Sequence, residues 1–81
     1  MHKTYNRKAF LLPNSIKSAA MFHAKIFEDG NYMLRIHDCV TGIRLRGDLN
    51  NQNDVQEAKE KLLALENGIK EFRCWIEENY D

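Results

Sequence analysis

The segment that decides the fold is residues 20–37, which read AMFHAKIFEDGNYMLRIH. Apolar and polar side chains alternate with a period of two on both sides of its centre, a pattern that is typical of half-buried strands. The centre is Glu28-Asp29-Gly30, and a three-residue loop with glycine in the left-handed conformation is a common hairpin connection. The segment therefore predicts an antiparallel hairpin.

The length of this loop selects the register of the two strands. A two-residue turn would place Phe22 opposite His37 and would mix apolar with polar side chains on each face, whereas a three-residue loop places Phe22 opposite Ile36. In the second register the apolar side chains share one face, which makes it the predicted one. That face is formed by Phe22, Ala24, Ile26, Tyr32, Leu34 and Ile36.

Further strands are predicted on either side of the hairpin. Ile43 and Leu45 alternate with arginines in a short third strand, and a four-residue loop over 39–42 would set Ile36 beside Leu45. The first 18 residues form either an edge strand within 5–12 or an N-terminal arm. Residues 19–81 form a single domain of sheet and helix.

A long C-terminal helix follows, and its predicted N-cap is Asn53, with Gln56 completing a capping box and acidic Asp54 and Glu57 in the first turn. Asn67-Gly68 would ordinarily mark the end of a helix, but an apolar stripe continues in phase across Gly68, which favours one helix, bent at that residue or straight. Its apolar positions are spaced alternately by three and four residues: Val55, Ala58, Leu62, Leu65, Ile69, Phe72 and Ile76.

The predicted fold class is α+β: a three- or four-stranded antiparallel β-meander followed by one long amphipathic helix packed on one sheet face. A helix of about 25 residues is roughly 38 Å long, whereas strands of eight residues span only about 26 Å. The helix therefore extends beyond the sheet, and this predicts a homodimer formed through the aromatic far end. The predicted dimer contacts are Phe72, Trp75, Ile76 and Tyr80.

Composition indicates a small globular protein rather than a disordered or membrane-spanning one. The chain has 81 residues, of which 43% are hydrophobic and 30% charged, and no apolar run approaches the roughly 20 residues of a membrane span. The start of the chain lacks the pattern of a signal peptide, so we expect a cytoplasmic protein. Cys39 and Cys74 match no redox or zinc spacing and are expected to be free thiols, which leaves oligomerisation to stabilise so small a domain.

The neutral net charge conceals two halves of opposite sign. Residues 1–47 carry eight basic and three acidic side chains, a net charge of +5, and residues 48–81 carry four basic and nine acidic ones, a net charge of −5. The sheet face opposite the helix collects much of the basic charge and would serve a nucleic acid, a protein partner, or only solvation. Its residues are His23, Lys25, Phe27, Met33, Arg35, His37, Arg44 and Arg46.

Catalytic, cofactor and metal sites are not predicted. His23, His37 and Cys39 offer three nitrogen or sulfur ligands, but zinc needs a fourth ligand that the sequence does not supply. The carboxylates of the helical segment scatter around its circumference, and no glycine-rich phosphate loop is present. We therefore expect no enzyme.

The layout of residues 42–72 resembles that of single-stranded-DNA-binding transcriptional coactivators of the positive-cofactor-four type. The likeness lies in the strand Gly42-Ile43-Arg44-Leu45 that leads into an amphipathic helix containing Ile69-Lys70-Glu71-Phe72. The connector 46–53 is longer than the usual join of that family, and the arm-binding domains of phage integrases, a three-stranded sheet plus a helix, are equally similar. The sequence favours a non-enzymatic binding or regulatory module that acts through protein–protein contacts as a homodimer, with nucleic-acid binding on the basic sheet face as the alternative.

Overall fold

The protein is described by a computed structural model that covers residues 3–14, 19–38 and 41–80. It has a four-stranded antiparallel sheet in the order β1-β2-β3-β4, followed by one helix. This confirms the predicted α+β meander and helix, with the larger of the two predicted numbers of strands. The elements are β1 (Tyr5–Phe10), β2 (Met21–Ile26), β3 (Asn31–His37), β4 (Gly42–Asp48) and α1 (Gln52–Asn79).

The hairpin of β2 and β3 has the predicted register, with Phe22 opposite Ile36. Gly30 has a φ of 88°, a left-handed conformation that glycine adopts without the steric cost of a Cβ. The Phe27 N–H donates to the Asn31 carbonyl at 2.9 Å, and the Gly30 N–H donates to the Phe27 carbonyl at 3.1 Å. The three-residue loop that the sequence indicates therefore closes this hairpin.

The register between β3 and β4 differs from the prediction. Ile36 lies opposite Ile43, and Leu45 lies opposite Leu34. The connecting loop has four residues as expected but begins one residue earlier, after His37, and the Asp38 N–H donates to the Thr41 carbonyl at 2.8 Å. The pairing is therefore displaced by two residues, which leaves every side chain on its predicted face.

The helix is continuous through Gly68, but its N-terminal cap lies two residues before the predicted one. Asn51 is the N-cap, and its side-chain Oδ1 accepts a hydrogen bond from the Asp54 N–H at 2.9 Å. The predicted Asn53 cap and its capping box with Gln56 were wrong, since Asn53 lies inside the helix, and Asp54 is the acidic residue of the first turn. Within the described chain, no helix has a stretch apolar enough to span a bilayer.

The helix packs on the apolar sheet face near the end of the strands that carries Tyr32. The Tyr32 ring lies over Gly47, where an added Cβ would come within 2.5 Å of the ring, and the Lys61 ammonium lies 5.7 Å from the centre of the same ring. On the helix side of this contact, Ala58 is buried, with 6% of its surface exposed. Tyr32 and Ala58 are the only buried hydrophobic residues in the described part of the chain, so the core is small.

The helix covers only part of the face that it was expected to seal. An almost wholly apolar open cavity of about 330 Å³ lies between the first helical turns and the sheet, and Ala24, Ile26 and Leu34 line it. Phe22 and Ile36 do not line this cavity, and Ile43 on β4 is 56% exposed. The strands are too short for the helix: 28 residues correspond to about 42 Å, whereas six or seven strand residues span roughly 20–23 Å.

Candidate interaction surfaces

The structure places the predicted strand residues of the polar sheet face on one side of the sheet, and Phe27, which follows β2, lies beside them in contact with Lys25. Because successive strand residues point to opposite faces, the register of the four strands decides which side chains meet. Strand β1 adds Lys8, which pairs with His23. We define the basic face as these side chains: Lys8, His23, Lys25, Phe27, Met33, Arg35, His37, Arg44 and Arg46.

A row of basic side chains crosses all four strands of this face. Lys8 pairs with His23, His23 with Arg35, and Arg35 with Arg44, so each residue of the row has a basic cross-strand neighbour. Arg35 opposite Arg44 joins two permanent like charges, and like charges directly opposite each other destabilise a sheet. Among the described residues, an ion pair joins Arg73 to Glu77 on the helix, and no ion pair involves a residue of the row. In the part of the chain that the structure describes, the row is therefore a concentration of positive charge with no ion-pair partner.

The pKa of His23 is shifted by its position in this row. Its Nε2 lies 2.7 Å from Oδ1 of Asn6, a hydrogen bond in which the imidazole is the donor. Desolvation by the neighbouring side chains, followed by the positive charges of Lys8, Lys25 and Arg35, lowers the pKa of His23 below its ordinary value of 6.5. The neutral imidazole is thus favoured first because its surroundings are partly desolvated and then because protonation would add one more positive charge to the row.

Phe27 provides an aromatic surface at one end of the basic face. The Lys25 ammonium lies 4.8 Å from the centre of the Phe27 ring, within the range of a cation–π contact. The ring borders two open depressions of about 470 and 420 Å³, the larger of which is also lined by Met33 and Arg46. Phe27 is 38% exposed, so part of the ring is open to a ligand.

The two histidines on this face are not joined in a metal site. His23 bonds to Asn6, and the Nδ1 of His37 lies 3.4 Å from the Asp38 carbonyl oxygen. Cys39, the third candidate ligand, lies outside the described residues. Within those residues, no group of three His, Cys, Asp or Glu side chains has an arrangement that could hold a metal ion.

A second surface lies at the far end of the helix. The predicted dimer contacts Phe72, Trp75, Ile76 and Tyr80 are all exposed there, with Phe72 at 66% and Tyr80 at 68%. The Trp75 and Tyr80 rings contact each other with their centres 5.9 Å apart. We define the overhang as residues 62–80. Leu62 at its start still borders the apolar cavity beside the sheet and Leu65 is half-buried, whereas from Ile69 onward the apolar stripe of the helix is exposed.

Two residues of these surfaces were not singled out from the sequence. Lys8 was missed because no readable turn connects β1 to β2, so the register of these two strands could not be assigned from the sequence. The sequence places Gly68 inside one helix, but only the structure shows the open space beside it, where an added Cβ would meet nothing within 4 Å.

Comparison with known proteins gives no relative. No protein-family model matches the chain, and neither a curated protein nor a solved structure is significantly similar to it. The resemblance to single-stranded-DNA-binding coactivators therefore rests on the layout of residues 42–72 alone.

Proposed function

We propose that the protein is a small non-enzymatic binding module that acts through protein–protein contacts, in the first place with a second copy of itself. The observation that carries the proposal is the amount of exposed surface. The chain exposes 6947 Å², whereas a compact monomer of its 9.5 kDa exposes about 5,000 Å². The excess of about 1,900 Å² is more than the roughly 800 Å² that each partner buries in a standard interface.

The location of the excess surface supports a self-contact. The radius of gyration is 15.1 Å, whereas a compact domain of this length has about 12 Å, and the long axis measures 48 Å because the helix extends past the sheet. Seven of the thirteen large hydrophobic side chains that are exposed in the described residues lie on that extension, and aromatic side chains are enriched in interface cores. With two free thiols expected from the cysteine spacing, the proposal places this dimer in the cytoplasm.

Sedimentation velocity tests the self-association. We expect the wild type to sediment as a dimer at micromolar concentration and Trp75→Asp to sediment as a monomer, because a carboxylate in an apolar interface is unpaired and desolvated. Asn67→Asp introduces the same carboxylate on the outward side of the helix and should leave the dimer intact. A monomeric wild type at 100 µM would refute the proposal.

Nucleic-acid binding is the second candidate function, and the uncompensated row of Lys8, His23, Arg35 and Arg44 is the observation that favours it. Phosphates would relieve the mutual repulsion of the row, and Phe27 at its border offers a stacking surface for a base. The acidic helical half weakens long-range attraction to phosphate, and for this reason nucleic acid ranks second.

Charge reversal distinguishes the two candidates. If the row binds nucleic acid, Arg35→Glu/Arg44→Glu lowers the affinity for a labelled single-stranded or duplex oligonucleotide by at least about tenfold at low salt. Lys3→Glu/Lys70→Glu changes the net charge by the same amount outside the row and should have a much smaller effect. Equal fluorescence anisotropy curves for the wild type and both variants would remove this candidate.

A further inference from the structure

The exposed stripe of the overhang has the spacing of a coiled-coil seam. Its apolar residues alternate by three and four, which is the a and d pattern of a heptad repeat, with Leu62, Ile69 and Ile76 at a and Leu65 and Phe72 at d. In the first two turns the same stripe faces the sheet through Ala58. Leu62 borders the cavity beside the sheet and Leu65 is half-buried, and from Ile69 onward the apolar residues of the stripe are exposed.

We propose that two copies dimerise by antiparallel packing of their overhangs, with Ile69 against the partner's Phe72 and Gly68 receiving the partner's Trp75. This inference rests on the proposed self-association and assigns it an interface and an orientation. The excess of exposed surface is large enough for an interface on this seam. A second copy is the occupant that fits it, because the same apolar stripe on both chains makes the seam self-complementary.

The position of the sheet decides between parallel and antiparallel helices. Each sheet lies on the seam side of the first helical turns, where Ala58 is buried. In a parallel pair both sheets would therefore occupy the space between the helices at the same end. In the antiparallel pair Leu62 lies opposite the partner's Asn79, so the partner's helix ends close to the cavity that Leu62 borders beside this chain's sheet.

The flanking residues select one register among those that keep apolar residues in contact. With Ile69 opposite the partner's Phe72, the flanking e positions bring Glu66 near the partner's Arg73, an attractive pair. A shift by one heptad in one direction brings Glu66 near the partner's Glu66, and a shift in the other direction brings Arg73 near the partner's Arg73. Both shifted registers are repulsive.

Gly68 supplies an independent reason for this register. Glycine is a poor helix former. Within the single chain no close contact requires a glycine at this position, because an added Cβ would meet nothing within 4 Å. In the selected register the g position of Gly68 lies beside the g position of the partner's Trp75. The missing side chain makes room for the largest side chain of the overhang, which is 53% exposed in the single chain.

Distances between spin labels test the orientation. In a Cys39→Ser/Cys74→Ser background, nitroxides at Lys70→Cys lie near the dimer axis, whereas those at Glu57→Cys are separated along the axis by about 40 Å. We expect short distances, below about 25 Å, for the first and long ones for the second. Equal distances at both sites in a dimeric protein would overturn the antiparallel arrangement but leave the self-association standing.

Gly68→Ala tests the contact with Trp75. Alanine favours the helix of the single chain, so its circular dichroism should show no loss of helix, while the dimer dissociation constant rises at least about tenfold through the clash with the indole. Asn67→Ala, on the outward side, should leave the dissociation constant unchanged. A Gly68→Ala protein that dimerises as tightly as the wild type overturns the register, whereas a wild type that never dimerises refutes the proposed function instead.

Discussion

The contact between Tyr32 and Gly47 anchors the small core. The Tyr32 ring lies over the backbone of Gly47, and a methyl group there would come within 2.5 Å of the ring. We therefore predict that Gly47→Ala lowers the free energy of unfolding by about 1–3 kcal/mol, the usual range for overpacking. Urea denaturation measures this change, and the same substitution in a Tyr32→Ala background should cost much less. An equal loss in both backgrounds would contradict the ring contact.

His23 makes the stability of the sheet depend on pH. Its pKa in the folded chain is lowered below 6.5, so the unfolded chain binds the proton more tightly. The contribution of neutral His23 to stability is therefore fully present above pH 6.5 and is lost as the pH falls through the folded pKa. We predict an NMR titration midpoint below 6.5 that moves towards 6.5 in Arg35→Gln.

The matched control for this titration is Lys61→Gln, which removes a lysine from the opposite side of the sheet. It should leave the His23 midpoint where it is in the wild type, because Lys61 lies over the Tyr32 ring, away from the basic face. If Lys61→Gln moves the midpoint as far as Arg35→Gln does, the shift does not arise in the row. Added salt should reduce the shift, since it screens charges on an exposed face.

The start of the helix gives a direct comparison of two neighbouring asparagines. Asn51 accepts the Asp54 N–H at 2.9 Å and satisfies one of the unpaired donors of the first turn, whereas Asn53 lies inside the helix. We predict that Asn51→Ala lowers the free energy of unfolding by about 1 kcal/mol and that Asn53→Ala changes it by less than about 0.5 kcal/mol. Denaturation curves with the reverse order would place the cap at Asn53.

The elements differ in how far local sequence determines them. The β2–β3 hairpin was predictable in register because Gly30 marks its loop and a slip of one residue would exchange its faces. The β3–β4 pairing was not, because a displacement by two residues preserves the faces and leaves no sequence signal. The pairing of β1 depends on contacts across a ten-residue connection, and nothing in the sequence of either strand specifies it.

The helix illustrates the same difference between pattern and packing. The periodic stripe predicted one helix through Gly68, and the structure has it. Periodicity gives no information on how much of the stripe the chain itself covers, because coverage depends on where the short strands end. The sheet face and the overhang were therefore predictable as surfaces, whereas the exposure of Ile43 and the open space beside Gly68 required the three-dimensional arrangement.

The molecule as a whole combines an extended shape with very little buried apolar surface. With only Tyr32 and Ala58 buried among the described hydrophobic residues, the single chain has little to offset the entropy of folding. Folding and association are then expected to be coupled, as they are in obligate dimers whose monomers are marginal. The apolar side chains of the overhang would supply the missing core.

Coupled folding and association make thermal stability depend on protein concentration. We predict that a tenfold increase in concentration raises the unfolding temperature by about 4 °C, because the dimer is favoured by mass action. Phe72→Glu places a charge in the seam, so its unfolding temperature should be lower and independent of concentration. Lys70→Glu places the same charge on the outward side of the helix and should retain the dependence. Circular dichroism melts over a hundredfold range of concentration measure all three proteins, and a wild-type midpoint that stays constant over that range would show that the single chain folds without a partner.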